Sequence, residues 1–178
     1  MRWLFKVYET FLIRHPKMTQ AVQTGVLMGA GDVISQVFIE EQPVKKLNYK
    51  RTLQFVSVGA FYVGPALTIW YGVLDKYVGK SGKRVALTKV ALDQICFAPV
   101  CLLGFMVTVG ALQGKTVQEV KRAIRETYPD ILLANYKLWP AAQTINFYFV
   151  PLQYQVLYAQ VVALFWNVYL CFKTKPEK

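Results

Sequence analysis

LDQICFAPVCLLGFMVTVGAL, Leu92–Leu112, is the stretch that decides the fold. Its one formal charge, Asp93, stands near its start, and the rest is apolar or small. At about 1.5 Å per residue such a helix crosses a hydrocarbon core of about 30 Å. Three more stretches of similar character lie outward from it. Met18–Ile39 carries Asp32 as its one formal charge, Thr52–Leu74 is interrupted by Gly64-Pro65, and Leu152–Phe172 is the cleanest. Four such stretches in 178 residues cannot all be covered inside so small a soluble domain. The expected fold class is all-α: a multi-pass transmembrane helical bundle, residues 1–178 forming a single membrane domain. No strand pattern, second domain or low-complexity linker is visible.

The composition agrees. Apolar residues make up 54% of the chain and charged residues 17%, against about a quarter charged in a soluble domain. Aromatic residues reach 15%, which suits helix ends in the headgroup region. The net charge of +11 is spread over short basic clusters between apolar stretches. That distribution fits loops bordering a bilayer, with small anionic solutes as candidate partners, and no continuous basic stripe suggests direct nucleic-acid binding. The Asp75–Lys89 loop, the N-terminal arm and the tail carry twelve of the 21 basic residues, so this group is expected to face the matrix or cytosol. Cys96, Cys101 and Cys171 all fall in apolar stretches and read as small core-like side chains rather than a disulfide framework. His15 is isolated. No zinc spacing, nucleophile–base pair or cofactor motif occurs, so neither metal, cofactor nor enzymatic activity is expected.

Two segments are not simple spans. Residues 1–15 form a basic amphipathic helix with Trp3, Leu4, Val7, Tyr8, Phe11 and Leu12 at helical spacing, broken by His15-Pro16. It is too charged for a secretory signal and lacks the Ser-rich look of a transit peptide. Residues 116–150 are amphipathic and polar. Thr116-x-x-Glu119 reads as a capping box opening a helix with Val117, Val120 and Ile124 inward. Tyr128-Pro129-Asp130 is expected to end it and open a fifth, kinked, membrane-embedded helix, Ile131–Val150, too polar to face lipid.

The candidate functional residues are polar groups placed where lipid would reject them. Ala21, Gly25, Gly29, Asp32 and Gln36 share one helical face, and Gly25-x-x-x-Gly29 allows close helix packing, within the bundle or in a homo-oligomer. A carboxylate at the position of Asp32 costs roughly 2.5–3.5 kcal/mol on insertion scales and must face protein or water. Asp93, four residues after Lys89, is expected nearer the interface. Asn135, Trp139, Ala142 and Asn146 form a second polar stripe, with Gln143 beside it. Asp32, Gln36, Asp93, Asn135, Gln143 and Asn146 are therefore candidates for lining a pore or for holding the bundle together. Pro65, Pro99, Pro140 and Pro151 are the expected kinks.

The run Tyr128-Pro129, Asn135-Tyr136-x-Leu138-Trp139-Pro140-x-x-Gln143-x-x-Asn146-Phe147-x-x-Val150-Pro151-Leu152 closely resembles the signature of the Mpv-seventeen / peroxisomal membrane protein family. So do Gly29-x-Gly31-Asp32-x-Ile34-Ser35-Gln36, Gly64-Pro65 with Trp70-Tyr71-x-x-Leu74-Asp75, Asp93-Gln94 with Phe97-Ala98-Pro99, and Trp166-Asn167. The short N-terminus and Val63-Gly64-Pro65 resemble the founding, mitochondrial branch more than the peroxisomal one. The resemblance implies a four-span protein of the mitochondrial inner membrane, the peroxisomal membrane being the alternative. It also implies a weakly selective channel tied to membrane potential, nucleotide-pool balance, mitochondrial DNA maintenance and reactive-oxygen handling. Gln155 departs from the family pattern, which often carries Arg there. Two function classes follow: a channel for small solutes such as anionic metabolites or nucleotides, and a non-conducting structural or assembly protein.

Overall fold

The computed structural model describes the backbone of residues 2–174 and the side chains of residues 7–166; the side chains of Trp3, Leu4, Asn167 and Cys171 lie outside the described residues. Every regular element among the described residues is helical. Helix α1, Arg2–Arg14, stops at His15 (φ −135°, ψ 60°). Pro16 then opens α2, Pro16–Ile34, where the N–H it lacks would have had no partner. Helix α2 continues into a π-helical turn, Ser35–Ile39. Helix α3, Tyr49–Val58, is capped by the Asn48 side chain, which accepts from the Arg51 backbone N–H. It passes through a second π turn, Gly59–Val63, into α4, Gly64–Tyr77. Helix α5, Lys83–Leu92, passes through a third, Asp93–Phe97, into α6, Ala98–Leu112. Helix α7, Val117–Phe149, and α8, Leu152–Thr174, complete the chain.

Among the described residues, three helical runs are long and apolar enough to cross a membrane: Pro16–Ile39, Tyr49–Tyr77 and Lys83–Leu112. They contain the expected stretches Met18–Ile39, Thr52–Leu74 and Leu92–Leu112. The fourth, Leu152–Phe172, lies within α8. The third run begins before its expected start. Most of the supposed Asp75–Lys89 loop is helix, and only residues 78–82 connect α4 to α5, with Gly79 and Gly82 at φ 120° and 114°. Lys83 and Arg84 mask a helix whose buried face is Ala86 and Lys89.

Proline treatment differs along the chain. The ring of a helical proline presses on the carbonyl four residues earlier. For Pro65 and Pro99 that carbonyl belongs to Phe61 and Ile95, each inside a π turn whose wider path accommodates it. Pro151 separates α7 from α8, with Val150 extended (φ −94°, ψ 125°) as the residue before proline requires. Pro129 and Pro140, by contrast, both lie inside α7. The expected break at Tyr128-Pro129-Asp130 does not occur: residues 117–149 form one helix. Packing of α7 against α5 and α6, with the Tyr128 hydroxyl donating to the Pro99 carbonyl, outweighs the loss of one hydrogen bond per ring.

Helix α7 starts on a complete capping box. The Thr116 side chain accepts from the Glu119 N–H (3.3 Å), and Glu119 Oε2 accepts from the Thr116 N–H (2.7 Å). Those bonds hold the Glu119 carboxyl below its usual range, the Thr116 backbone N–H contributing most. A lowered carboxyl pKa stabilises the fold at neutral pH, and the contribution is lost as pH falls through the folded value. Glu119→Gln should therefore lower the thermal midpoint at pH 7, by a margin that shrinks below the usual carboxylate range. An equal margin at pH 7 and pH 3.5 in detergent melts would count against the cap. Of the three residues expected inward here, Val120 and Ile124 are half-buried and Val117 is 66% exposed; Val117 lies beyond the reach of α6, whose Gly110 receives Val120.

The chain forms two compact units: Met1–Thr68 with Gln160–Lys178, and Ile69–Ala159. In the first, α2 packs against α3 and the turn that follows it. The approach is backbone to backbone: a Cβ at Gly59 would lie 2.8 Å from Gly25 Cα, and one at Gly25 would lie 2.9 Å from the Val56 carbonyl oxygen. A Cβ at Gly29 would meet Val56 Cγ2 at 2.5 Å. The Gly25/Gly29 face is thus occupied by the second span. From α1, Leu12 is buried, whereas Phe11 is exposed. In the second unit α7 packs against α5 and α6 around Tyr71, Leu74, Ala86, Ala142, Phe147 and Val156.

Candidate functional site

Each unit holds a buried polar cluster built around a carboxylate. In the first, Asp32 near the end of α2 is 5% exposed. Its Oδ1 lies 2.7 Å from Arg51 Nε. Its Oδ2 accepts from Gln36 Nε2 and from Thr52 Oγ1, each at 2.7 Å. Gln36, one helical turn on, also donates to Thr52 Oγ1 (3.1 Å) and accepts from the Asn48 N–H (2.7 Å). The Arg51 guanidinium reaches Glu40 as well, at 2.8 Å. The carboxylate that lipid would reject is therefore ion-paired through Oδ1 and hydrogen-bonded through Oδ2, and the start of α3 is tied to the end of α2.

The second cluster is larger. Asp93 opens the π turn before α6 and is 2% exposed. Its Oδ1 accepts from Trp70 Nε1 (2.9 Å), and its Oδ2 from Gln94 Nε2 (2.8 Å) and Gln143 Nε2 (2.9 Å). Gln94 Oε1 accepts from Asn135 Nδ2 (3.0 Å). Gln143 also donates to the Tyr71 hydroxyl (2.9 Å), and its Oε1 accepts from Asn146 Nδ2 (2.9 Å). Asn146 reaches the Gln155 backbone carbonyl (3.3 Å). Rings frame the line: Trp70 stacks on Phe97 at 5.1 Å, and Tyr71 meets Phe147 edge-on at 5.3 Å. Lys89, its side chain 1% exposed, pairs with Asp75 at 3.2 Å and not with Asp93.

The six polar residues singled out from the sequence thus divide. Asp32 and Gln36 meet in the first unit; Asp93, Asn135, Gln143 and Asn146 meet in the second. Sequence reasoning missed Arg51, Thr52 and Glu40 as partners of Asp32, and Trp70, Tyr71, Gln94 and the Asp75–Lys89 pair. The usable signal was charge balance: a buried acid at the end of one span asks for the cation that opens the next, which is Arg51. The cysteines were misjudged in part. Cys96 is exposed and Cys101 half-buried, and neither is in a disulfide; the π turn rotates Cys96 outward.

Long apolar helices whose buried polar groups bond to one another define a polytopic α-helical membrane protein. The chain belongs to the Mpv17 / PMP22 family, whose model matches residues 110–171. It is 44% identical over 171 residues to the mitochondrial inner membrane protein Mpv17 of Homo sapiens, covering 96% of this chain and 97% of that one. It is 42% identical over 173 residues to the mitochondrial inner membrane protein Mpv17 of Danio rerio, covering 97% of this chain and 98% of that one. PXMP2/4 family protein 2 of Dictyostelium discoideum is 38% identical over 175 residues, covering 96% and 90%. No solved structure matches the chain. Like the Mpv17 relatives, this chain is a protein of the mitochondrial inner membrane.

Proposed function

We propose that the protein is a weakly selective channel for small solutes, anionic metabolites or nucleotides among them. Its path follows the polar line of the second unit, with α8 as a fourth span and α7 as an embedded polar helix. The observation that carries this reading is the continuous chain of buried amides and carboxylate from Asn135 through Gln94, Asp93 and Gln143 to Asn146. From Asn135 to Asn146 the helix rises about 16 Å, roughly half of a hydrocarbon core. Polar side chains at that depth mark solute paths or glue, and here the amide nitrogens are taken up by neighbouring oxygens, the arrangement of a closed path. Water or solute exchanging for those mutual bonds would open it. In the inner membrane such a path modulates membrane potential, and the family resemblance links it to nucleotide-pool balance, mitochondrial DNA maintenance and reactive-oxygen handling.

The mutual satisfaction of both clusters favours a second reading, a non-conducting structural or assembly protein. Purified protein in liposomes separates the two. Single-channel steps and solute flux above empty vesicles are expected. Correctly folded protein that leaves vesicles as tight as controls would assign the clusters to structure alone.

A further inference from the structure

Two buried oxygens in the second unit have no hydrogen-bond donor: Asn146 Oδ1 and Gln155 Oε1. Asn146 is 0% exposed and Gln155 4%. The amide orientations are fixed by what the nitrogens do. Asn146 Nδ2 donates to Gln143 Oε1 and to the Gln155 carbonyl, and Gln155 Nε2 donates to the Val150 carbonyl (3.1 Å). Turning either amide over would set oxygen against oxygen. The Val150 and Gln155 backbone carbonyls lie at the same corner, where Pro151 supplies no N–H and the chain turns from α7 into α8. Asn146 Oδ1 and Gln155 Oε1 are therefore left there without a donor, beside carbonyls that each already accept one.

The charge balance nearby points the same way. Among the described residues, the donors on Asp93 are the neutral groups of Trp70, Gln94 and Gln143. Lys89 is held by Asp75. Only Gln143 stands between the Asp93 carboxylate and Asn146. A buried polar oxygen left without a donor destabilises the fold. A buried carboxylate whose donors are all neutral destabilises it further. One small cation relieves both, by taking oxygen ligands and by neutralising the acid through a short polar relay.

We propose that the α7–α8 corner is a binding site for a small monovalent cation, held by Asn146 Oδ1 and Gln155 Oε1 with help from backbone carbonyls. The Asp93 carboxylate supplies the long-range attraction. The site needs no conduction and stands whether or not the protein is a channel. Hard cations prefer neutral carbonyl and amide oxygens of this kind.

The test is the melting of the full-length protein in a non-ionic detergent at constant ionic strength. Potassium, sodium or N-methylglucamine is the sole cation. A saturable rise in the midpoint of about 5 °C in potassium or sodium over N-methylglucamine is expected, as for a ligand that binds only the folded state. Gln155→Glu adds a negative ligand and should lower the half-saturating concentration at least tenfold. Gln155→Arg brings its own fixed charge and donors and should melt at the same temperature in all three salts. Equal wild-type midpoints in all three salts would overturn the proposal and leave water as the donor to both oxygens. So would an ion response in Gln155→Arg as large as that of the wild type.

Discussion

Gly59→Leu should prevent stable accumulation of the protein, whereas Gly72→Ala should leave it intact. A Cβ at Gly59 falls 2.8 Å from Gly25 Cα and 2.9 Å from the Thr24 carbonyl oxygen. Both obstacles are backbone, so no rotamer change relieves them, and leucine adds three more carbons beyond the first. The first two spans must move apart, and with them the register that sets Arg51 against Asp32. Overpacking of this kind typically costs 1–3 kcal/mol, and with a rigid obstacle on both sides about 3 kcal/mol or more is expected. Gly72 is the internal control, since a Cβ there meets nothing within 4 Å. Its replacement by alanine should gain about 0.5–1 kcal/mol of helix propensity. Midpoints from detergent melts, together with the amount recovered from membranes, report both effects. A Gly59→Leu protein that melts with the wild type would mean that the two spans do not touch at this point.

The helices were legible because lipid demands a long apolar run, and that demand is written one residue at a time. Leu92–Leu112 shows it directly, and so does the small-residue spacing of Gly25 and Gly29. What was not legible was how a helix copes with proline. Pro65 and Pro99 sit after π turns while Pro129 and Pro140 are carried inside one continuous helix. The local sequence Tyr-Pro-Asp at 128–130 is a sound turn signal, and it lost to the packing of α7 against α5 and α6. The start of α5 was missed for a different reason. Lys83 and Arg84 read as loop charges, and the burial of Lys89 beside Asp75 depends on a pairing that local sequence does not display.

The candidate site was legible in its residue types and not in its partnerships. A buried acid announces itself in an apolar run, so Asp32 and Asp93 stood out. Which groups answer them is set by packing. Asp32 is met by Arg51 and Thr52, one turn into the next helix, while Asp93 is met by side chains from α4 and α7 that are distant in sequence. Gln155 stood out only as a departure from a family pattern. Its importance comes from burial without a donor, which no spacing rule reveals.

Asp93→Leu sets these energies against one another. Removing the carboxylate recovers its insertion cost, roughly 2.5–3.5 kcal/mol. It also deletes three bonds to a charged acceptor, each worth about 1.5–3 kcal/mol, and strands the donors of Trp70, Gln94 and Gln143. The loss should win by roughly 2–5 kcal/mol. Asp93→Asn keeps one accepting oxygen and turns its amide nitrogen toward donors on the other side, so a smaller loss, about 1–2 kcal/mol, is expected. The predicted order of melting midpoints is wild type, then Asp93→Asn, then Asp93→Leu. The milder variant also reports on conduction, because a carboxylate at a narrow passage favours cations. In liposomes the folded Asp93→Asn protein should conduct with a lower cation-to-anion permeability ratio than the wild type. If Asp93→Leu melts with the wild type, water already serves those donors and the network is not what holds the second unit together. If Asp93→Asn conducts with an unchanged ratio, the path for solutes lies away from this carboxylate.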